Sequence, residues 1–264
     1  RDLHSFPTRR SSDLCELLKA KHALKNCFFN CCYIKTFYAP ELEEVGYSFL
    51  SRNRIETLLL PSLKVAGSGF LQISKSLKEI SLPSLVLLEE YSLENTPKLE
   101  RIYMPNVKII ENNVLSITKK ITELDLPKLE VLGRGFMSSN FSLKTLNIPK
   151  LLFIPPYMLA SNNTIEHIYA PSATKMGYYA FNENDVIKSF IAPNMSKINK
   201  HTALTSNNTL PNLEHLHLAD EVVMCYYRSA SPKTIRVGNV EGKEEIERFK
   251  ADLFDEPNVK IIEK

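Results

Sequence analysis

The sequence lacks the features that mark several classes of protein. Its 264 residues include no tryptophan and only 8 glycines, and no apolar run reaches the roughly 18 residues of a membrane-spanning helix. The 33 basic and 30 acidic residues are interspersed and leave a net charge of +3, so there is no clustered basic face of the kind that binds nucleic acid. We therefore expect a globular segment with no nucleic-acid partner and no direct membrane insertion.

The sequence also lacks the residue patterns of catalytic and metal sites. Its five cysteines are an odd number, and Cys27, Cys31 and Cys32 have no matching Cys-x-x-Cys pair elsewhere, so a zinc site is not predicted. There is no Ser-His-Asp order, phosphate-binding glycine loop or paired-carboxylate pattern. We expect no enzyme activity, no catalytic residue, no metal and no cofactor.

The N-terminal residues are predicted to lie outside the fold. His4 to Leu14 read HSFPTRRSSDL, which resembles the translation of a sequencing adapter joined to an open reading frame. Residues 1–14 are accordingly expected to be an unpacked artefact, and a short basic, serine-rich tail would be equally unpacked. On this interpretation the true N-terminus is missing, so no signal peptide can be assessed.

Proline, by contrast, recurs at a fixed interval. One step of 21 residues is followed by six steps of 22, and the prolines are Pro40, Pro61, Pro83, Pro105, Pro127, Pro149, Pro171 and Pro193. A fixed period of this length is typical of a solenoid, in which each repeat forms one turn. We count positions in each turn from its proline, which is position 0.

Six positions in every turn carry an apolar residue. They are −6, −3, −1, +2, +5 and +10, and position −6 is always a branched aliphatic residue: Ile34, Ile55, Leu77, Leu99, Ile121, Leu143, Ile165 and Ile187. Apolar residues at −3 and −1 around a variable residue are typical of a strand with one buried face. Proline has no amide hydrogen to donate, so it marks the end of that strand. The six rows predict turns stacked around an apolar axis, which no single turn could bury alone.

Two further positions carry small or polar residues. Gly46, Gly67, Gly133 and Gly177 occupy position +6, where we expect a corner that favours a small residue or a left-handed backbone. Four of the eight turns carry another residue there, so the corner does not strictly depend on glycine. At position +13 the turns carry Ser74, Thr96, Thr118, Asn140, Asn162 and Asn184. These side chains predict a ladder of hydrogen bonds to backbone groups at a corner.

The repeated pattern I/L-x-x-L-x-L-P-x-L-x-x-I-G, as in Ile121 to Gly133, resembles leucine-rich repeats. It is most similar to the BspA-like class, which is found in bacterial and protozoan surface proteins. It departs from the general motif because leucine replaces the asparagine or cysteine that normally follows the strand. The resemblance covers about Cys15 to Val237 and implies a repeat solenoid of about ten coils, with a parallel β-sheet on one side.

We predict a solenoid over residues 15–238 and a C-terminal cap over residues 239–264. Thr234 to Val237 would form a last, shorter turn. Within the cap, a helix is predicted over 241–254, because Ile246, Phe249 and Leu253 lie on one side of it, and a strand is predicted over 259–262.

The outward strand positions, −4 and −2, are the only systematic surface that the repeat creates. Their residues vary above a constant core, as a recognition surface requires, and tyrosine and arginine are common in binding hot spots. His167 and His215 would lie two strands apart, roughly 10 Å, which is too far for simple shared metal ligation. The candidate binding residues are Arg101, Tyr103, Glu123, Asp125, Asn147, His167, Tyr169, His215 and His217.

The preferred hypothesis is a non-catalytic module that binds a protein ligand through this face. The resemblance implies a cell-surface or secreted protein that takes part in adhesion to a host or matrix protein. Two alternatives remain open at this stage: a passive spacer within a larger protein, and an intracellular interaction scaffold.

Overall fold

A computed structural model describes residues 13–184, 186–199, 212–224, 233–236 and 239–241 of the protein. These residues form a parallel β-solenoid of about nine turns of ~22 residues, which confirms the predicted fold class. This part of the chain contains no helix, and therefore none long and apolar enough to cross a membrane. The chain divides into two compact units, Arg1–Ile121 and Thr122–Lys264.

Each turn of unit 1 contributes a three-residue strand and a two-residue strand. The three-residue strands, which we call the main sheet, are β1 (Leu14–Glu16), β3 (Thr36–Tyr38), β5 (Thr57–Leu59), β7 (Glu79–Ser81) and β9 (Arg101–Tyr103). β1, β3 and β5 pair in parallel, as do β7 and β9. The two-residue strands form a second parallel sheet: β2 (His22–Ala23), β4 (Glu44–Val45), β6 (Val65–Ala66), β8 (Leu87–Leu88) and β10 (Ile109–Ile110).

Unit 2 repeats this arrangement. Its main sheet contains five parallel strands: β11 (Glu123–Asp125), β13 (Thr145–Asn147), β15 (His167–Tyr169), β17 (Ser189–Ile191) and β19 (His215–His217). The short strands on the other side are β12 (Val131–Leu132), β14 (Phe153–Ile154), β16 (Lys175–Met176), β18 (Lys197–Ile198) and β20 (Glu221–Met224).

The direction of pairing reverses at the C-terminal end of unit 2. β21 (Lys233–Arg236) pairs antiparallel with β20, and β22 (Asn239–Glu241) pairs antiparallel with β19. The segment expected to form a last parallel turn therefore folds back along the solenoid, which corrects that prediction. Glu241, where the predicted helix was to begin, is the last residue of β22. The rest of the predicted cap lies outside the described residues.

The first turn starts slightly earlier than the sequence pattern indicated. Leu14 is in β1, and the carbonyl oxygen of Asp13 accepts hydrogen bonds of 2.8 Å from the amides of Lys35 and Thr36. Asp13 and Leu14 are therefore paired with the next turn, although the sequence prediction assigned them to an unpacked segment. Residues 1–12 lie outside the described residues.

The six apolar rows form the core. With the exceptions of Ile34 and Ile102, which are half-buried, every described residue in these rows is buried. A seventh inward row at position +9 was missed by the sequence prediction, and its members are Phe49, Phe70, Ser92, Val114, Phe136, Met158 and Ala180. Position +9 was hard to identify because serine and alanine interrupt its larger side chains.

The backbone between positions +8 and +12 alternates between two conformations. Positions +8, +10 and +12 have left-handed φ values between 51° and 71° in each turn from Pro40 to Pro171. This alternation pairs amides with the turns on both sides: Leu71 N donates to Phe49 O at 3.0 Å, and Ile73 N donates to Glu94 O at 2.8 Å. The segment therefore links successive turns without a β-strand.

The glycines at position +6 permit close approach to the preceding turn, although four of the eight turns carry another residue there. A Cβ at Gly67 would lie 2.7 Å from the carbonyl carbon of Gly46, and one at Gly177 would lie 2.6 Å from the amide nitrogen of Pro156. The left-handed glycines are Gly69 and Gly135, which stand two residues later, at position +8. The sequence left open whether position +6 favours a small residue or a left-handed backbone, and the structure shows that small size is the reason.

The predicted polar ladder at position +13 is confirmed. Thr96 Oγ1 donates to Leu93 O at 2.8 Å, and Asn140 Oδ1 accepts from Leu143 N at 3.0 Å. Asn53, which the sequence prediction did not include, occupies the same row and accepts a hydrogen bond from Ile55 N at 2.9 Å. These side chains satisfy backbone groups at the corner that leads into the next strand.

Candidate binding surface

The outward face consists of the first and last residues of each main-sheet strand. Side chains alternate between the two faces of a strand, so the middle residue points inward and its two neighbours point outward. In β11, for example, Leu124 is buried between exposed Glu123 and exposed Asp125. The structure therefore places the predicted binding residues on the side of the sheet opposite the core.

Strand register gathers seven of the nine candidates onto one continuous sheet in unit 2. Each of two parallel rows runs across five strands. The row at position −4 contains Glu123, Thr145, His167, Ser189 and His215, and the row at position −2 contains Asp125, Asn147, Tyr169, Ile191 and His217. The sheet thus brings carboxylates, an amide, a phenol and imidazoles into fixed positions.

The other two candidates, Arg101 and Tyr103, lie on β9 of unit 1. Arg101 forms an ion pair with Glu79 on the neighbouring strand β7, and both side chains are largely exposed. Tyr103 is 58% exposed. The outward charges of these two strands therefore neutralise each other within unit 1.

Asn147 forms a side-chain hydrogen bond with another candidate of unit 2, Asp125. Its Nδ2 atom donates a hydrogen bond of 2.8 Å to Asp125 Oδ1 across the β11–β13 pair. Its Oδ1 atom is buried and accepts no hydrogen bond from the residues that the structure describes. Asn147 therefore orients the Asp125 carboxylate while its own acceptor stays unused.

The outward histidines lie on β15 and β19. His167 and His215 are separated by Ser189 on β17, the spacing that the sequence predicted. Across the described part of the chain, no group of three or more His, Cys, Asp or Glu residues could hold a metal ion.

A row of charged residues flanks the outward face at position −5, and the sequence prediction did not identify it. We call it the charge row. In unit 1 it contains Asp13, Lys35, Glu56, Lys78 and Glu100, and in unit 2 it contains Thr122, Lys144, Glu166, Lys188 and Glu214. The sign alternates from turn to turn, and Thr122 is the one neutral member. The 22-residue period would have revealed this row, had it been applied to charged as well as apolar positions.

Ion pairs between successive turns join members of the charge row. Lys35 Nζ lies 3.3 Å from Asp13 Oδ2 in unit 1. In unit 2, Glu166 lies between two lysines, 3.7 Å from Lys144 and 2.6 Å from Lys188. The Lys188 hydrogen bond is the main cause that lowers the pKa of Glu166, with the charges of Lys188 and Lys144 also lowering it and desolvation opposing them.

Cys15 occupies a structural position in the core. Cys15 is buried in β1, and burial, with smaller contributions from Cys31 and Glu16, raises its pKa to about 11. Cys27 and Cys31 are half-buried, whereas Cys32 is exposed. A thiol with so high a pKa is a poor nucleophile at neutral pH, as expected of a packing residue.

A family model described as "BspA type Leucine rich repeat region (6 copies)" matches residues 20–122 and 87–210, which is more than half of the chain. The chain belongs to the BspA-type leucine-rich repeat family. Leucine-rich repeat proteins are generally non-enzymatic, and a repeat region of this family fits a protein-interaction module. The resemblance stated from the sequence is thereby confirmed.

Two solved structures are similar to this BspA-type chain. The pneumococcal vaccine antigen PcpA is 13% identical, with a TM-score of 0.43 over 78% of this chain and 67% of that one. A leucine-rich cell surface protein from Faecalibacterium prausnitzii A2-165 is 12% identical, with a TM-score of 0.28 over 83% of this chain and 80% of that one. No protein with a curated description matches the chain.

Proposed function

We propose that the chain is a non-catalytic, protein-binding module of a cell-surface or secreted protein, which recognises a host or matrix protein through the outward face. The observation that carries this proposal is the pair of registered rows in unit 2. Their side chains differ in charge, size and hydrogen-bonding capacity, while the rows beneath them are uniformly apolar and buried. The occurrence of the BspA-like class among surface proteins supports the proposed location.

The sheet presents these side chains in a form suited to recognition. Each strand is hydrogen-bonded to its neighbours in parallel register, so the backbone beneath the face is already ordered before a partner arrives. Pre-ordering lowers the conformational entropy that association must otherwise remove. Tyr169, which is 47% exposed at the middle of the face, is the side chain most typical of a hot spot.

The test is a binding measurement with the whole chain on a panel of immobilised extracellular-matrix and serum proteins. The triple variant His167→Ala, Tyr169→Ala, His215→Ala removes three side chains from two strands, β15 and β19, without touching the core. We expect it to weaken binding by about 30-fold or more, which corresponds to roughly 2 kcal/mol at the hot spot.

The matched control is the double variant Phe153→Ala, Lys175→Ala. These residues are exposed and paired in register, but they lie on the short strands β14 and β16 rather than on the outward face. Binding should be unchanged in this variant, and both variants should keep the melting temperature of the parent chain. If the triple variant bound every partner normally, the outward face would not be the binding surface, and a passive spacer would be favoured.

A further inference from the structure

Histidine is concentrated on the outward face of unit 2. The described part of the chain contains four histidines, and three of them are among the ten residues of the two registered rows: His167, His215 and His217. His167 and His215 are exposed, and His217 is half-buried. The fourth, His22, lies on the short strand β2 of unit 1. Histidine is the side chain that ordinarily changes its charge between about pH 5 and 8.

The other outward residues give the face a charge that protonated histidines can reverse. Glu123 and Asp125 are acidic, and none of the ten residues is a lysine or an arginine. With neutral imidazoles the ten residues carry a formal charge of −2, and three protonated imidazoles change it to +1. The formal charge of the face therefore changes sign when its histidines are protonated.

The groups around His167 keep their own charges as the pH falls from neutral to mildly acidic. Its register partners on β13 and β17 are Thr145 and Ser189, which are uncharged. Glu166 precedes it, and the pKa of that carboxyl is lowered chiefly by the hydrogen bond from Lys188 and least by the charge of His167. The pKa of Lys188 is raised, mainly by the same hydrogen bond. Of these groups, the imidazole is the one that changes charge.

The other two histidines lie on β19, between β17 and β22. Their register partners are Ser189 and Ile191 on β17, and Glu241 and Asn239 on β22. Glu214 precedes His215 in the charge row. Glutamate is ordinarily ionised at the pH values at which histidine gains its proton. On this strand, too, the imidazoles are the groups that change charge.

The charge row beside the face adds no net charge to it. Its charged members in unit 2 are two lysines and two glutamates, whose formal charges cancel: Lys144, Glu166, Lys188 and Glu214. Glu166 makes ion pairs with both lysines. The outward residues themselves therefore set the sign of the charge that a partner meets.

We infer that the outward face of unit 2 is a pH-sensitive recognition surface, which favours acidic partners at mildly acidic pH and basic partners at mildly alkaline pH. The inference rests on the proposed function, because it names how binding to the same surface is regulated. It is carried by placement, since three histidines share one registered sheet with two carboxylates and no lysine or arginine. Opposite charges across an interface steer association and like charges oppose it, so a change of sign changes which partners bind.

The test measures binding of the whole chain to immobilised poly-L-glutamate and to immobilised poly-L-lysine. Biolayer interferometry at about pH 8 and about pH 5.5 compares the two protonation states, at low salt because salt screens exposed charges. We expect the affinity for polyglutamate to rise by about tenfold or more on acidification, and the affinity for polylysine to fall by a similar factor.

The variant His167→Gln, His215→Gln, His217→Gln keeps polar side chains on the face but removes the groups that gain a proton. It should lose most of the pH dependence with both polymers and keep the melting temperature of the parent chain at mildly alkaline pH. His22→Gln is the matched control, because it removes an exposed histidine that lies 3.3 Å from Glu44 on the short strands of unit 1. This control should keep the full pH dependence.

Several results would overturn the inference. They are an equal pH response in the parent and the triple glutamine variant, loss of the response in the His22 variant, or a response of the same sign with both polymers. If a panel protein that requires the outward face bound equally at both pH values, the proposed function would stand and the pH sensitivity would not. If no panel protein required the outward face, the proposed function would fail and this inference with it.

Discussion

The ammonium group of Lys188 donates a hydrogen bond of 2.6 Å to the carboxylate of Glu166, which lies one turn earlier in the chain. Both residues belong to the charge row, so the contact joins turns that are also joined by the strand pair β15–β17. Exposed ion pairs contribute little singly, and networks of them contribute more. In unit 2, Glu166 forms such a network, because it makes ion pairs with both Lys144 and Lys188.

The first prediction concerns the pH dependence of this network. Because the folded-state pKa of Glu166 is below its ordinary value of 4.5, its contribution to stability is fully present above that value and is lost as the pH falls through the lowered pKa. Glu166→Gln should therefore lower the melting temperature slightly near neutral pH and have no effect in strong acid. Thermal denaturation by circular dichroism at both pH values checks this, and high salt should reduce the neutral-pH difference. An equal loss at both pH values would mean that the charge of Glu166 is not the cause.

The second prediction concerns glycine at position +6. Gly67→Ala would place a methyl group 2.7 Å from the carbonyl carbon of Gly46 and 2.8 Å from Val45 O, and both are backbone atoms that cannot move aside cheaply. We expect a loss of about 1–3 kcal/mol in the free energy of unfolding, as for other overpacked sites.

Gly69→Asn is the matched control for this substitution. Gly69 has a left-handed φ of 71°, which asparagine tolerates. The two atoms nearest to a Cβ at this position would be Ser48 Oγ at 3.4 Å and Gln72 Oε1 at 3.5 Å, which are ends of side chains. We expect a change of less than about 1 kcal/mol. Chemical denaturation compares the two variants, and greater damage from the Gly69 substitution would contradict the close-approach explanation.

The third prediction concerns the inward row at position −1. Leu126 is fully buried, so Leu126→Asp would place a carboxylate among apolar side chains without a partner. It should cost several kcal/mol or prevent cooperative unfolding altogether. Its neighbour Asp125 is exposed, and Asp125→Ala should leave the denaturation midpoint almost unchanged. Cooperative unfolding of the Leu126 variant at the parent midpoint would be incompatible with an inward Leu126.

The fourth prediction concerns thiol reactivity. With its pKa raised to about 11 by burial, Cys15 remains a protonated thiol at mildly alkaline pH, whereas Cys32 is exposed. Iodoacetamide should therefore modify Cys32 well before Cys15 in the folded chain, and denaturant should remove most of the difference. Mass spectrometry of peptides from timed reactions measures both rates. Equal rates in the folded chain would show that Cys15 is accessible.

The sequence alone could predict the solenoid because burial imposes an apolar residue at six positions of every turn. Leu58, Leu124 and Ile168 occupy equivalent buried sites, so their spacing records the turn length directly. The direction of a strand, by contrast, does not change its pattern of apolar and polar residues. The antiparallel return of β21 and β22 depends on which strands they pair with, β20 and β19, and the local pattern of Thr234 to Val237 could not distinguish it from another parallel turn.

The candidate surface was only partly predictable, for a related reason. Alternation along a strand identified Asp125 and Tyr169 as outward residues, but it could not show which carboxylates are neutralised by neighbours. Register determines that Glu79 lies beside Arg101 and Glu123 beside Thr145. The unused acceptor of Asn147 likewise depends on atomic positions that no spacing rule provides.

The alternating signs of the charge row also bear on how such a chain can change its length. Deleting the turn that contains Glu56 would bring Lys35 next to Lys78, and inserting one extra turn would create a similar repulsion. Within each run of alternating charges, Asp13 to Glu100 and Lys144 to Glu214, adding or removing two neighbouring turns preserves the order of signs. Evolutionary gain and loss of repeats within these runs should therefore be tolerated best in pairs, even though the structural repeat is a single turn.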